Sequence, residues 1–249
     1  LFLLFVFFCC FFFFLWFFFC LFFVFFWLFL WGGCLGGLGG GGWGGWCGGG
    51  GGWLWWGWFG GVICLGVGAF LCIVEYLAAR DGIEYVKEAV SGTTLVDNGD
   101  SSYIARMKAN IPDQQADLFI CQLSTNDATT GQPMGEISDS KNIDDFDTST
   151  VAGAMEYIIA YAGEHYGCPV MFYTGTKYDS KKYAEMVELT KKLQEKWGIG
   201  IIDMWDDLDA DIPEYHYYMA NGIHPNRAGY LDWWTPFFEQ EIEKYLDLN

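Results

Sequence analysis

Three short polar segments of the sequence contain side chains that could take part in a reaction. Gly92 lies in the segment SGTT, Asn126 in the segment STND, and His224 in the segment NGIHPNRAGY. A glycine N–H and an asparagine amide can donate hydrogen bonds to an oxyanion, and a histidine can act as a general base. These groups make up most of a site for acyl transfer, and only a nucleophile is absent.

The elements that must position these segments form a pattern of alternating strands and helices. Four short segments have the length of strands: 84–90, 118–124, 169–175 and 199–206. The run 118–124 is continuously apolar, which is typical of a strand covered on both faces. Five segments have helical patterns: 70–80, 102–111, 150–166, 181–197 and about 227–247. Strands separated by helices of this length form right-handed βαβ units, which predicts a parallel sheet between two layers of helices.

The three polar segments lie where such a sheet binds its ligands, outside the carboxyl ends of the strands. Gly92 follows the run 84–90, Asn126 follows the run 118–124, and His224 precedes the last helix. We therefore expect these three residues to line one cleft. The helix at 70–80 should itself follow a first strand, but a segment rich in Gly and Trp occupies the place of that strand.

Residues from about 69 to 249 resemble the SGNH (GDSL-type) hydrolases, a family of esterases with a flavodoxin-like three-layer α/β/α fold. Gly92 matches the glycine of the second block of the family, Asn126 the asparagine of its G-x-N-D block, and His224 the histidine of its D-x-x-H block. The resemblance implies a serine at the end of strand one, with His224 taking its proton. It also implies that the serine N–H, Gly92 and Asn126 hold the oxyanion, and that no metal or cofactor takes part.

The sequence departs from this family at two points. It contains no serine before Ser91, so the nucleophile is missing where residues 55–63 should carry it. Asn221 stands where the acidic partner of His224 is expected. An asparagine can hold the imidazole, but it can select the wrong tautomer and cannot stabilise an imidazolium. The same change in a serine protease lowers kcat about 10⁴-fold.

Other candidate groups have plainer interpretations. Gly99-Asp100-Ser101 spells the name motif of the family, but it precedes a helix directly, so we interpret Ser101 as an N-cap. His165 and His216 have no matching partners, and we expect them at the surface or packed against aromatic rings. Trp233 and Trp234 are expected in the core rather than in a sugar platform. The acidic stretch 127–147 lacks the spacing of an EF-hand, which favours a solvated loop.

The charge distribution limits the partners of the protein. All 31 acidic and 13 basic residues lie from Glu75 onward, and the net charge is −18. A field this negative repels nucleic acid and anionic membranes, so the expected partner is a small acyl ester. Cys121 and Cys168 lie in apolar runs and are expected to be buried free thiols, which suits a reducing compartment and favours a cytoplasmic protein.

Residues 1–62 differ from everything that follows them. They contain only Phe, Leu, Cys, Trp, Val and Gly, the six amino acids whose codons can be written with T and G alone. This composition favours a low-complexity artefact, whereas the apolar run 1–31 is also long enough for a membrane anchor. We therefore divide the chain into 1–62 and a hydrolase-like domain, 63–249.

The sequence as a whole predicts a serine-type hydrolase of small acyl esters, a carboxylic ester hydrolase. The alternative is a catalytically inactive binding protein on the same fold, if the missing serine and the change at Asn221 are genuine.

Overall fold

The structure, a computed structural model, describes the backbone of residues 62–66 and the whole of residues 73–248. The described residues belong to one compact unit, Leu54–Asn249. None of the described helices combines the length and the apolar character needed to cross a membrane. The prediction of an artefact concerns residues 1–62 and that of an anchor residues 1–31; residues 1–61 lie outside the described residues, and Val62 begins a strand of the sheet.

The described strands form a single sheet in which every strand pair is parallel. They are β1 (Val62–Gly66), β2 (Tyr85–Ala89), β3 (Leu118–Gln122), β4 (Val170–Tyr173) and β5 (Gly200–Ile202). Their order is β2-β1-β3-β4-β5. The four predicted strands are confirmed, but the expected first strand is present as β1. Since β1 lies between β2 and β3, these two strands are not neighbours.

The helices lie between these strands in chain order. They are α1 (Ile73–Asp81), α2 (Tyr103–Asn110), α3 (Thr125–Thr130), α4 (Val151–His165), α5 (Lys181–Trp197), α6 (Tyr215–Tyr218) and α7 (Thr235–Leu246). A 3₁₀ turn covers Ile143–Asp145, and a π-helical turn at Gly229–Trp234 leads into α7. All five predicted helices are present, and the two short ones, α3 and α6, were not predicted.

Side chains alternate between the two faces of the sheet, as strand geometry requires. In β3, Phe119 and Cys121 join a core cluster with α2, α4 and α5, whereas Leu118 and Ile120 join a second cluster with α1 and α7. The central strands are therefore covered on both sides, which explains their continuous apolar sequences. This arrangement confirms the three-layer α/β/α fold.

Candidate functional site

The segment STND connects the carboxyl end of β3 to α3. The Ser124 hydroxyl accepts hydrogen bonds from the N–H groups of Asn126, at 3.1 Å, and Asp127, at 3.3 Å. This N-cap starts a helix of six residues where the sequence predicted the beginning of a solvated loop. Asn126 therefore sits in the first turn of α3, directly beyond the sheet edge, on a backbone that the cap fixes.

Asn126 binds the loop that carries Gly92. Its side-chain amide donates a hydrogen bond of 2.9 Å to the carbonyl of Thr93, and the Ser124 hydroxyl donates one of 3.2 Å to the same oxygen. An amide nitrogen has two N–H groups, and this contact uses one of them. The structure thus brings two of the predicted segments together and leaves Asn126 a second donor for a ligand.

The turn at Gly92 is exposed and has a left-handed backbone, with φ of 81°. Glycine adopts this conformation without the steric penalty that a β-carbon would cause. Behind the turn, the Thr93 hydroxyl donates to the Val90 carbonyl at 2.8 Å. The chain therefore leaves β2, exposes the backbone at Gly92, and returns at once to the interior.

Asp127 holds this loop from inside the core, a role that was not predicted. Its fully buried carboxylate accepts hydrogen bonds from the N–H groups of Leu95, at 2.8 Å, and Val96, at 3.1 Å. Burial raises the pKa of this carboxyl group, while the hydrogen bonds that it accepts from the backbone oppose the rise. The only signal in the sequence was its position directly after Asn126.

Arg106 supports the same loop from α2. Its guanidinium group donates to the Thr93 hydroxyl at 3.1 Å, to the Ser101 carbonyl at 3.1 Å and to the Glu88 carboxylate at 2.7 Å. A buried arginine of this kind needs its charge paired and its N–H groups satisfied. The network therefore connects β2, the Gly92 loop and the start of α2.

His224 lies in a loop between α6 and the last helix. An antiparallel bridge joins Met219 to Pro225, and the Ala220 N–H donates to the His224 carbonyl at 2.8 Å. Asn226 fastens the base of the loop, since its side chain donates to the Tyr217 carbonyl at 2.6 Å. The imidazole is exposed, which a general base requires if it is to reach a substrate.

Asn221 lies beside His224. Its side-chain oxygen accepts hydrogen bonds from the N–H groups of Ile223, at 3.0 Å, and His224, at 2.9 Å. The same oxygen is 3.1 Å from Nδ1 of the His224 ring. Among the described residues, hydrogen bonds join Asn126 to Thr93 and His224 to Asn221, but none links these two pairs. Their meeting in one cleft stays a prediction.

Among the described serines near the site, Ser124 and Ser102 have structural roles. Ser124 is fully buried and its hydroxyl is already engaged. The N-cap of α2 is Ser102, whose hydroxyl accepts from Ala105 at 3.1 Å, so the prediction of Ser101 as the cap was wrong. The helix begins one residue later than the sequence suggested.

The position expected for the nucleophile also changes. Strand β1 ends at Gly66, so its carboxyl end lies beyond the range 55–63 that the sequence suggested. Gly66 pairs with Ala89, and Leu65 pairs with Cys121. The end of β1 is therefore level with the points where the chain leaves β2 toward Gly92 and β3 toward Asn126.

Among the other candidate groups, His165 and Trp234 fit their plain interpretations. The His165 ring stacks on Tyr161 with 3.9 Å between ring centroids, and its Nδ1 is 3.0 Å from an Asp113 carboxylate oxygen. Trp234 is buried in the core, whereas Trp233 is partly exposed and stacks on a tyrosine of α6. Within the described residues, no three His, Cys, Asp or Glu side chains are grouped closely enough to hold a metal ion.

Comparison with known proteins points to one family. The model of the GDSL-like lipase/acylhydrolase family matches residues 67–231. A lipase candidate from Chitinophaga pinensis is similar in structure, with a TM-score of 0.56, 15% identity, and coverage of 76% of this chain and 99% of that one. A GDSL-like lipase candidate from Bacteroides ovatus has a TM-score of 0.54, 15% identity, and coverage of 76% and 98%.

An acetyl xylan esterase is also similar in structure, with a TM-score of 0.51 and 15% identity, over 72% of this chain and 98% of that one. At these identities the structural likeness concerns the fold. A comparison with curated protein sequences finds no significant match.

Proposed function

Because the chain belongs to the GDSL-like lipase/acylhydrolase family, we propose that it is built as a serine-type hydrolase of small acyl esters. The observation that carries this proposal is the hydrogen bond from the Asn126 side chain to the Thr93 carbonyl. It fixes an amide donor next to the exposed backbone of Gly92, and two such donors are what an oxyanion needs. In this function His224 is the general base and Asn221 its partner.

In the proposed reaction, a hydroxyl attacks the carbonyl carbon of the ester while the imidazole of His224 takes the proton of that hydroxyl. The negative charge that develops on the carbonyl oxygen is held by the Gly92 N–H and the second N–H of Asn126. The protonated imidazole then gives its proton to the departing alcohol, and water releases the acyl group by the same steps in reverse.

The hydroxyl itself belongs directly after β1. The register of β1 with its neighbours places that end of the strand level with the Gly92 and Asn126 loops. The sequence that follows Gly66 is Val67-Gly68-Ala69, which supplies no hydroxyl. We propose that a serine at position 68, preceded by aspartate at 67, completes the site.

The experiment compares p-nitrophenyl acetate hydrolysis by the full chain, its His224→Ala variant and a Val67→Asp/Gly68→Ser variant. We expect the unmodified chain to be no faster than His224→Ala, because the sequence directly after β1 supplies no hydroxyl. The double variant should gain turnover. Adding His224→Ala to it should lower the rate about 10²–10⁴-fold, the usual contribution of general base catalysis. Gly68→Ala is the matched control, since it adds a β-carbon without a hydroxyl.

Two results would overturn this proposal. Strong His224-dependent hydrolysis by the unmodified chain would identify another nucleophile, with Ser101 and Ser91 the first to replace. A correctly folded double variant without any turnover would favour the binding protein instead. An acetylated carbohydrate is the next substrate to offer, because one structural neighbour is an acetyl xylan esterase.

A further inference from the structure

The side-chain amide of Asn221 has only one orientation that its surroundings accept. The atom that faces the N–H groups of Ile223 and His224 receives both as hydrogen bonds, at 3.0 and 2.9 Å. Backbone N–H groups can only donate, so this atom must be the oxygen. A flipped amide would place its NH₂ group against two donors and lose both bonds. The hydrogen-bond network therefore assigns the amide orientation.

The orientation of the amide determines where the hydrogen of the neutral His224 ring lies. Nδ1 of the ring is 3.1 Å from the same Asn221 oxygen, which can only accept. The contact is a hydrogen bond only if Nδ1 carries the hydrogen. A neutral imidazole has a single N–H, so Nε2 is then left as an acceptor with a free lone pair.

We propose that Asn221 is a positioning residue that holds neutral His224 in the tautomer with hydrogen on Nδ1. The inference rests on the proposed function only for the use of Nε2 as the base. It reverses the expectation from the sequence that asparagine could select the wrong tautomer here. The two backbone donors prevent the amide rotation by which an asparagine could offer its NH₂ group to the ring instead.

An asparagine locked in this way performs one of the two tasks of an aspartate. It orients the ring and selects the tautomer, but it carries no charge to stabilise the imidazolium that forms during the reaction. In the hydrolase with a restored serine, Asn221→Asp should therefore raise kcat by far less than about 10⁴-fold. The corresponding Asp-to-Asn change in a serine protease, where the tautomer is wrong, lowers kcat about 10⁴-fold.

The test is an NMR measurement of the ring nitrogens in the full chain labelled with ¹⁵N-histidine, at about pH 9, where imidazole is neutral. The signals of His224 are those that disappear in His224→Ala, which separates them from the signals of His165 and His216. We expect Nδ1 to show the shift of a protonated nitrogen and Nε2 that of an unprotonated one. Asn221→Asp should preserve this pattern, whereas Asn221→Ala should shift it toward the other tautomer.

Asn142→Ala is the matched control, because the Asn142 side chain accepts a similar local bond from the Asp144 N–H, at 3.3 Å, in another loop. That variant should leave the His224 signals unchanged. A major tautomer with hydrogen on Nε2 in the unmodified chain would overturn the inference, and so would unchanged populations in Asn221→Ala. Neither measurement depends on turnover, so a failed esterase assay with the expected tautomer would overturn the proposed function alone.

Discussion

The two halves of the candidate site are built in different ways. In the oxyanion half, Gly92 and Asn126 are supported by fully buried Ser124 and Asp127, through bonds between segments more than thirty residues apart. In the base half, Asn221 and His224 are exposed and bind each other across three residues. One half is therefore anchored in the core, and the other is a self-contained loop on its surface.

This difference separates stability from function within one site. Changes to the buried network should destabilise the whole domain, because buried donors and acceptors without partners are costly. Changes to the exposed loop should alter catalysis but leave the free energy of unfolding almost unchanged. Loops on a rigid scaffold often carry functional residues that contribute little to stability. The free energy of unfolding of matched variants can test this separation.

The largest effect on the free energy of unfolding should come from Asp127→Ala. The variant leaves the buried N–H groups of Leu95 and Val96 without acceptors, which should lower the free energy of unfolding by about 3 kcal/mol. Urea denaturation followed by circular dichroism would measure the loss. Asp144→Ala, at an exposed position, is the control and should change stability by no more than about 0.5 kcal/mol.

The difference in stability between the unmodified chain and Asp127→Ala should depend on pH in a definite direction. Burial raises the pKa of Asp127 in the folded protein above 3.8, so the folded state binds the proton more readily than the unfolded chain does. The stabilising contribution of this group is then fully present below pH 3.8 and decreases as the pH rises through its folded pKa. The gap between the unmodified chain and Asp127→Ala should widen as the pH falls from 7, and a gap that narrows would contradict the raised pKa.

The parts of the fold that could be predicted are those in which local pattern and tertiary packing agree. The apolar face of α4, with Val151, Met155 and Ile158, repeats at helical spacing, and all three side chains are buried. Gly198, the residue directly after the predicted helix 181–197, ends α5 with φ of 70°. Gly92 and Asn126 could be placed together because both directly follow strands of one parallel sheet.

The rest could not be predicted because its cause is not local. Strand β1 has the sequence VICLG, and the segment before it is also apolar, so the sequence does not show where the strand begins. Helix α3 has the sequence TNDATT, in which threonine and aspartate favour a helix only weakly. It forms because Ser124 caps it and Asp127 binds a loop more than thirty residues away. The orientation of the Asn221 amide likewise depends on donors whose positions no spacing rule gives.

An effect of intermediate size on the free energy of unfolding is expected from Gly92→Ala. The position has φ of 81°, so a β-carbon causes strain there even though no atom lies within 4 Å of it. The variant should lose about 1–2 kcal/mol, the cost of a left-handed residue. Gly163→Ala is the matched control, because Gly163 lies in the last turn of α4 with open space around it and has no left-handed backbone. This control should gain about 0.5–1 kcal/mol from the better helix propensity of alanine, and a loss at both positions would show that strain at Gly92 is not the cause.

The smallest effect should come from His224→Ala, the variant that removes the proposed base. Its ring is exposed, and its described side-chain partner is Asn221, which keeps the two backbone bonds that shape the loop. We therefore expect the free energy of unfolding to change by no more than about 0.5 kcal/mol. His165→Ala is the matched control, since that ring stacks on Tyr161 and contacts Asp113, and its removal should cost about 1 kcal/mol. If His224→Ala instead destabilises the domain as much as Gly92→Ala does, the loop is coupled to the core through contacts with other groups, and the two halves of the site are one structural unit.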